Sequence, residues 1–140
     1  MAFGAGKSAF FKIDDYTGTL VSINSYVSSV TPSFEVETAD VSALGATGHS
    51  FINTLTNGSL SVEGPFDPAI GTTLWGATGT FGTTTATRTF EWHPQGTASG
   101  KPKISGECWI TSYEVPGGVD NAVTWSMAIQ IDGAITLANN

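Results

Sequence analysis

FFKIDDYTGTLVSINSYVSSVTPSFEVETADVSALGATGHSFINTLTNGSLSVEG, residues Phe10 to Gly64, is the stretch whose reading decides the fold class. Within it, Phe34-Glu35-Val36-Glu37 and Leu60-Ser61-Val62-Glu63 alternate apolar and polar groups, most of the latter carboxylates. That period of two belongs to a half-buried antiparallel sheet. Between them, Thr38 to Thr56 (TADVSALGATGHSFINTLT) is too long for a hairpin turn and too weakly apolar for a core element. An extended loop over 38–56 is therefore expected, one that gains its order by binding, with a neighbouring subunit as the expected partner. Its candidate contact residues are Val41, Leu44, His49, Phe51 and Ile52.

Working outward, the chain reads as mostly antiparallel β structure. Ala9 to Ile13 is a first strand, Asp14-Asp15-Tyr16-Thr17-Gly18 a turn, and Thr19 to Asn24 a second strand. Ser33 to Asp40 and Ser59 to Glu63 follow, with Asn57-Gly58 expected as a tight reversal because that pair favours positive φ. Thr87 to His93 is another strand, with Phe90 and Trp92 on one side. Lys103 to Val115 and Ala122 to Asp132 form a long hairpin joined by Pro116 to Asn121. In its second strand Val123, Trp125, Met127, Ile129 and Ile131 alternate with polar or small residues, committing one face to the core. A single short helix is expected over Pro68 to Trp75. Asp67 is placed to cap it, Pro68 wastes no amide, Gly76 stops it, and Ile70 and Leu74 share its buried face.

Length and composition fit one domain over 1–140, since 40% hydrophobic residues suffice for a single core. Charged residues are only 12%, about half the usual share, so much of the polar surface is uncharged. Twelve acids against five bases give a net charge of −7, which repels phosphate backbones and anionic membranes. No segment approaches the apolar length needed to span a bilayer as a helix. The single cysteine, Cys108, has no internal disulfide partner and reads as a small buried hydrophobe, a usage that fits a bacterial cytoplasm.

Motifs with chemistry are few. Gly4-Ala5-Gly6-Lys7-Ser8 ends like a phosphate-binding loop, but the full pattern needs a Gly where Met1 stands and a strand before it. Residues 1–8 are read instead as a flexible arm, and Thr83-Thr84-Thr85 as a loop. His49, His93 and Cys108 are not at metal-ligand spacing, and Glu35 with Glu37 read as a solvated strand face rather than a catalytic pair. No nucleophile, base and orienter assemble, so no enzyme activity, cofactor or metal is expected. Among the four tryptophans, Trp92 and Trp125 read as core. Trp109 shares a predicted face with Ser105, Glu107, Thr111 and Tyr113, which makes Trp109 and Tyr113 candidates for a subunit contact.

The run from Phe10 to Ile52, followed by LTNGSLSVEGPFDP from Leu55, resembles the opening of major tail tube proteins of long, non-contractile-tailed bacteriophages. The resemblance is clearest over the first half of the chain and becomes a general strand pattern after Trp75. It implies an antiparallel β-sandwich with one short helix and a long assembly loop. It further implies six subunits per ring, rings stacked into a virion tail tube, other tail proteins at the tube ends, and DNA passing through without specific binding. Six copies of a −7 chain carry −42, a field that hinders DNA from sticking to the wall. The candidate channel-lining residues are Glu35, Glu37, Ser126 and Gln130. A capsid decoration protein or a sugar-binding virion module are the alternatives, separable by particle symmetry and by glycan binding.

Overall fold

The computed structural model describes residues 9–76, 79–82, 86–119 and 122–140. The arm read over 1–8, the loop at Thr83-Thr84-Thr85 and the last two residues of the Pro116 to Asn121 connection lie outside them. Seven strands are formed: β1 (Phe10–Asp14), β2 (Leu20–Ser22), β3 (Ser29–Asp40), β4 (Phe51–Pro65), β5 (Arg88–His93), β6 (Pro102–Glu114) and β7 (Thr124–Asn139). All neighbours are antiparallel, in the order β2-β1-β5-β6-β7-β4-β3. One helix, α1 (Pro68–Trp75), lies between β4 and β5.

Alternation makes the sheet two-faced, and burial of one face folds it over on itself. Trp125, Met127, Ile129 and Ile131 of β7 form one buried cluster with Leu60 and Val62 of β4, Phe90 of β5, Phe11 and Ile13 of β1, and Ile70 and Leu74 of α1. The connection after β2, which includes a 3-10 turn at Asn24–Tyr26, closes the fold over. Trp125 Nε1 donates to the Tyr26 carbonyl at 2.8 Å and the Ser28 amide donates to the Glu63 carbonyl at 2.8 Å. Gly64 makes this approach possible, because a Cβ there would sit 2.0 Å from the Tyr26 carbonyl oxygen.

α1 follows the sequence reading closely. Asp67 Oδ1 accepts from the Ala69 amide at 2.9 Å, Gly76 takes φ of +76°, and Ile70 and Leu74 are fully buried. The Asp15 turn also forms as read: its Oδ1 accepts from the amides of Thr17 and Thr19, and Gly18 has φ of +87°. Arg88 was not singled out by the sequence, yet its buried guanidinium ties α1 to the sheet. It donates to the Leu74 carbonyl at 2.6 Å and the Asp14 carbonyl at 3.1 Å, and lies 5.0 Å from the centre of the Trp75 ring. Cys108 is fully buried, and burial pushes its thiol up to about 12.

Three expectations are corrected. Asn57-Gly58 is not a reversal but lies in the middle of β4, without positive φ. Gly58 is there for space, since a Cβ would come 2.8 Å from Ile135, 2.9 Å from Ile131 and 3.0 Å from the Phe34 ring. The segment 38–56 is a loop only over 41–50; its flanks belong to β3 and β4, paired up to Asp40 with Phe51. Backbone pairing, rather than an apolar stripe, orders them. Finally, β7 runs past Asp132 to Asn139. At Gly133, with φ of +81°, and a register shift opposite Gly106, its outer half turns away from β4. β4 and β7 pair only from Pro65 with Thr124 up to Ser59 with Gln130.

Trp125 is the natural test of this core. Trp125→Ala is expected to lower unfolding free energy by about 3–5 kcal/mol. Trp125→Phe should cost about 1–3 kcal/mol from the orphaned Tyr26 carbonyl. Denaturant titration measures both, and an unchanged midpoint for Trp125→Ala would show that this face is not the core.

Candidate assembly surfaces

Two surfaces stand out once the strands are in place. The first is an arm made by the outer halves of β3 and β4, which extend beyond the last β4–β7 pair. A bulge between Val36 and Thr38 leaves three β4 steps against two on β3. Every residue from 40 to 57 is exposed. These include the five expected contact residues, Val41, Leu44, His49, Phe51 and Ile52, together with Leu55. Leu44 at the tip is wholly open to solvent. A cluster of exposed apolar groups on a projecting hairpin is an unsatisfied surface.

The tip is nonetheless internally fastened. The Val41 amide donates to the Ser50 carbonyl at 2.8 Å, and the Ser50 amide donates to Ser42 Oγ at 2.7 Å. Asp40 Oδ1 accepts from the Ser42 amide at 2.8 Å, while its Oδ2 lies 3.1 Å from His49 Nδ1. Hydrogen bonds from Ser42, with a smaller part from His49, hold the Asp40 carboxyl below its ordinary value.

The second surface is a four-stranded patch of β6, β7, β4 and β3 whose outward face is polar. Its rows run Glu114, Ser126, Glu63, Ser29; then Ser112, Ala128, Ser61, Thr31; then Trp109, Gln130, Ser59, Ser33. Glu35 continues the same face of β3, opposite Asn57, and the Asn57 side chain accepts from Gln130 Nε2 at 2.7 Å. The fold thus brings Glu35, Ser126 and Gln130 onto one face, and Glu37 falls at the bulge beyond them. Both borders of the patch are open at one height. β3 is the last strand of the sheet, and β6 is paired with β5 only between Ile104 and Cys108, so that no strand among the described residues pairs Trp109 to Glu114 on that side.

Trp109 and Tyr113 do not share a face. The register shift between Ile110 and Ser112 inserts Thr111, so Tyr113 stands opposite buried Met127 and turns inward. Its ring centre is 5.7 Å from Trp75 and 6.2 Å from Trp125, and burial raises its phenol above the ordinary value. Trp109 stays on the polar face beside Gln130. Trp92 is half-buried against Phe11, so neither it nor Trp125 offers an open ring for a sugar. His93 is buried between Glu91 and Asn140, at 3.1 Å from each. Among the described residues no three of His, Cys, Asp and Glu group as a metal site.

Asp40 yields a pH test. Its depressed carboxyl stabilises the fastened tip above the ordinary aspartate value, and that contribution is lost as pH falls through the lower, folded value. The Ser42 amide resonance should therefore titrate with a midpoint below the ordinary aspartate value, and in His49→Ala the midpoint should move up. A Ser42 resonance that titrates at the ordinary value would show that the tip is not fastened this way.

Neither a protein-family model nor a curated protein sequence matches the chain. Solved structures do. A chain in the tail of an empty gene transfer agent particle, refined with C6 symmetry, matches with a TM-score of 0.71 at 20% identity, covering 97% of this chain and 99% of that one. The SPP1 tail tube subunit matches with a TM-score of 0.71 at 14% identity, over 99% of this chain and 80% of that one. A chain of the six-fold symmetrised anti-feeding prophage baseplate matches with a TM-score of 0.62 at 10% identity, covering 99% and 97%. Over nearly its whole length the chain has the tail tube fold.

Proposed function

We propose that this chain is the structural subunit of a virion tail tube, assembling as six-membered rings that stack around a channel for DNA. The observation that carries the reading is the patch with two open borders at one height. β6 runs opposite to β3, so the free edge from Trp109 to Glu114 can pair antiparallel with Ser29 to Ser33 of the next copy. Repeating that step satisfies both edges and closes when the rotation closes, which removes the aggregation hazard of an exposed edge. The C6 symmetry of the similar gene transfer agent tail supports six as the number.

Magnitudes agree with a channel. Six four-stranded patches give twenty-four strands, and at about 4.8 Å per strand the circumference is about 115 Å, or about 37 Å across before strand tilt widens it. The polar face then lines the bore with Glu35, Ser126, Gln130 and Glu63, with Glu37 at its margin. The apolar arm, carrying Val41, Leu44, Phe51 and Ile52, reaches out of the patch to a neighbouring subunit, and the tube ends meet other tail proteins. The work is mechanical and electrostatic, and requires no catalytic group.

Two experiments test this reading. Deleting Ala43 to His49 removes only exposed residues, so melting should be unchanged while negative-stain images lose long tubes; normal tubes from the deletion would refute the arm's role. Replacing Glu35 and Glu37 with Lys changes each ring by +24, six times +4, and turns repulsion of phosphate into attraction. Tubes should still form, and genome ejection should slow at low salt and recover as salt screens the field. Ejection that stays the same at low salt would move these carboxylates away from the bore.

A further inference from the structure

The two ends of the subunit carry opposite charge that no ion pair among the described residues satisfies. At the end from which the arm projects, Lys101 closes the β5–β6 connection and Lys103 opens β6, where it is paired in the ladder with Ala138. At the opposite end, where β6 and β4 finish and β7 starts, stand Glu63, Asp67 and Glu114, all exposed. Among the described residues neither lysine has a carboxylate within ion-pair distance, and neither Glu63 nor Glu114 has a cation. Asp40, the acid at the lysine end, is already engaged by Ser42 and His49.

The two groups cannot reach each other inside one molecule. They are separated along β6, where the eleven steps from Lys103 to Glu114 span about 36 Å at roughly 3.3 Å per residue. Two half-buried cations at one end of a chain with seven more acids than bases are a specific placement rather than a general surface charge. An acidic foot would repel a second foot, whereas a basic head would attract one. Charge of this kind sets orientation and encounter rate more than raw affinity.

Resting on the tube reading above, we propose that Lys101 and Lys103 form an electrostatic latch with Glu63, Asp67 and Glu114 of a second copy in the next ring. The latch makes stacking head-to-tail: inverted contacts set acid against acid at one end and lysine against lysine at the other. The lysines lie outside ring closure, which uses the strand edges of the patch; on the acidic side Glu114 stands at the end of such an edge, whereas Glu63 does not.

The test compares three proteins of equal melting temperature: wild type, Lys101→Glu/Lys103→Glu, and that variant combined with Glu63→Lys/Glu114→Lys. At near-physiological salt the lysine variant should still form rings, while stacked tubes should need at least about tenfold more protein, and the combined variant should recover most of the loss. Neutral Lys101→Gln/Lys103→Gln should fall between, and raised salt should weaken wild-type stacking. Stacking by the lysine variant at the wild-type concentration would overturn the latch. So would loss of its rings, which would place the lysines in the lateral contact, or a combined variant no better than the lysine variant. If wild type forms no six-fold rings, the tube reading itself fails, whatever the lysines do.

Discussion

Unpaired backbone at the borders of a sheet is the constraint on which this structure turns. Each free N–H and C=O on an edge strand is a hydrogen bond waiting for a partner. The chain curls its seven strands far enough to bury one face but not far enough to join β2 to β3. Within the subunit, side chains serve where strands part: Gln130 Nε2 bonds the Gly58 carbonyl at 3.0 Å at the point where β7 leaves β4. The remaining edges, on β3 and on the lower part of β6, are interrupted only by Pro32, by the bulge at Glu37 and by the bulge at Thr111. They leave backbone groups that no strand among the described residues pairs.

The core and the helix were legible in the sequence because their signals are local. Asp67, Pro68 and Gly76 each act within one turn, and the alternation from Trp125 to Ile131 needs only the strand's own pleat. What was not legible depends on distant partners. Asn57-Gly58 has the wording of a turn, but the fold uses Gly58 because Phe34, Ile131 and Ile135 converge on it from two other strands. The face of Tyr113 followed from a bulge that no residue type announces. Arg88 lay unnoticed because its role is set by the carbonyls of Leu74 and Asp14, which sequence spacing does not place beside it. The flanks of the 38–56 segment looked like loop since their polarity is that of an exposed hairpin, in which both faces meet solvent until a partner arrives.

Charge is sparse here, so where it falls matters more than how much there is. The polar face of the patch is mostly Ser, Thr, Gln and Asn, groups that hydrate well without holding a counter-ion atmosphere. The carboxylates are distributed among them at intervals rather than clustered. Such a face presents a weak, even field instead of a binding site.

The burial of Cys108 carries a consequence for chemical ageing. Each chain carries one thiol, and a thiol ionised at the surface would be open to peroxide and to disulfide exchange. Oxidation proceeds through the thiolate. With its thiol pushed up to about 12 and sealed between β5 and β7, Cys108 stays protonated wherever the protein is folded. The fold thereby keeps its one thiol from intermolecular cross-linking without the help of any partner group.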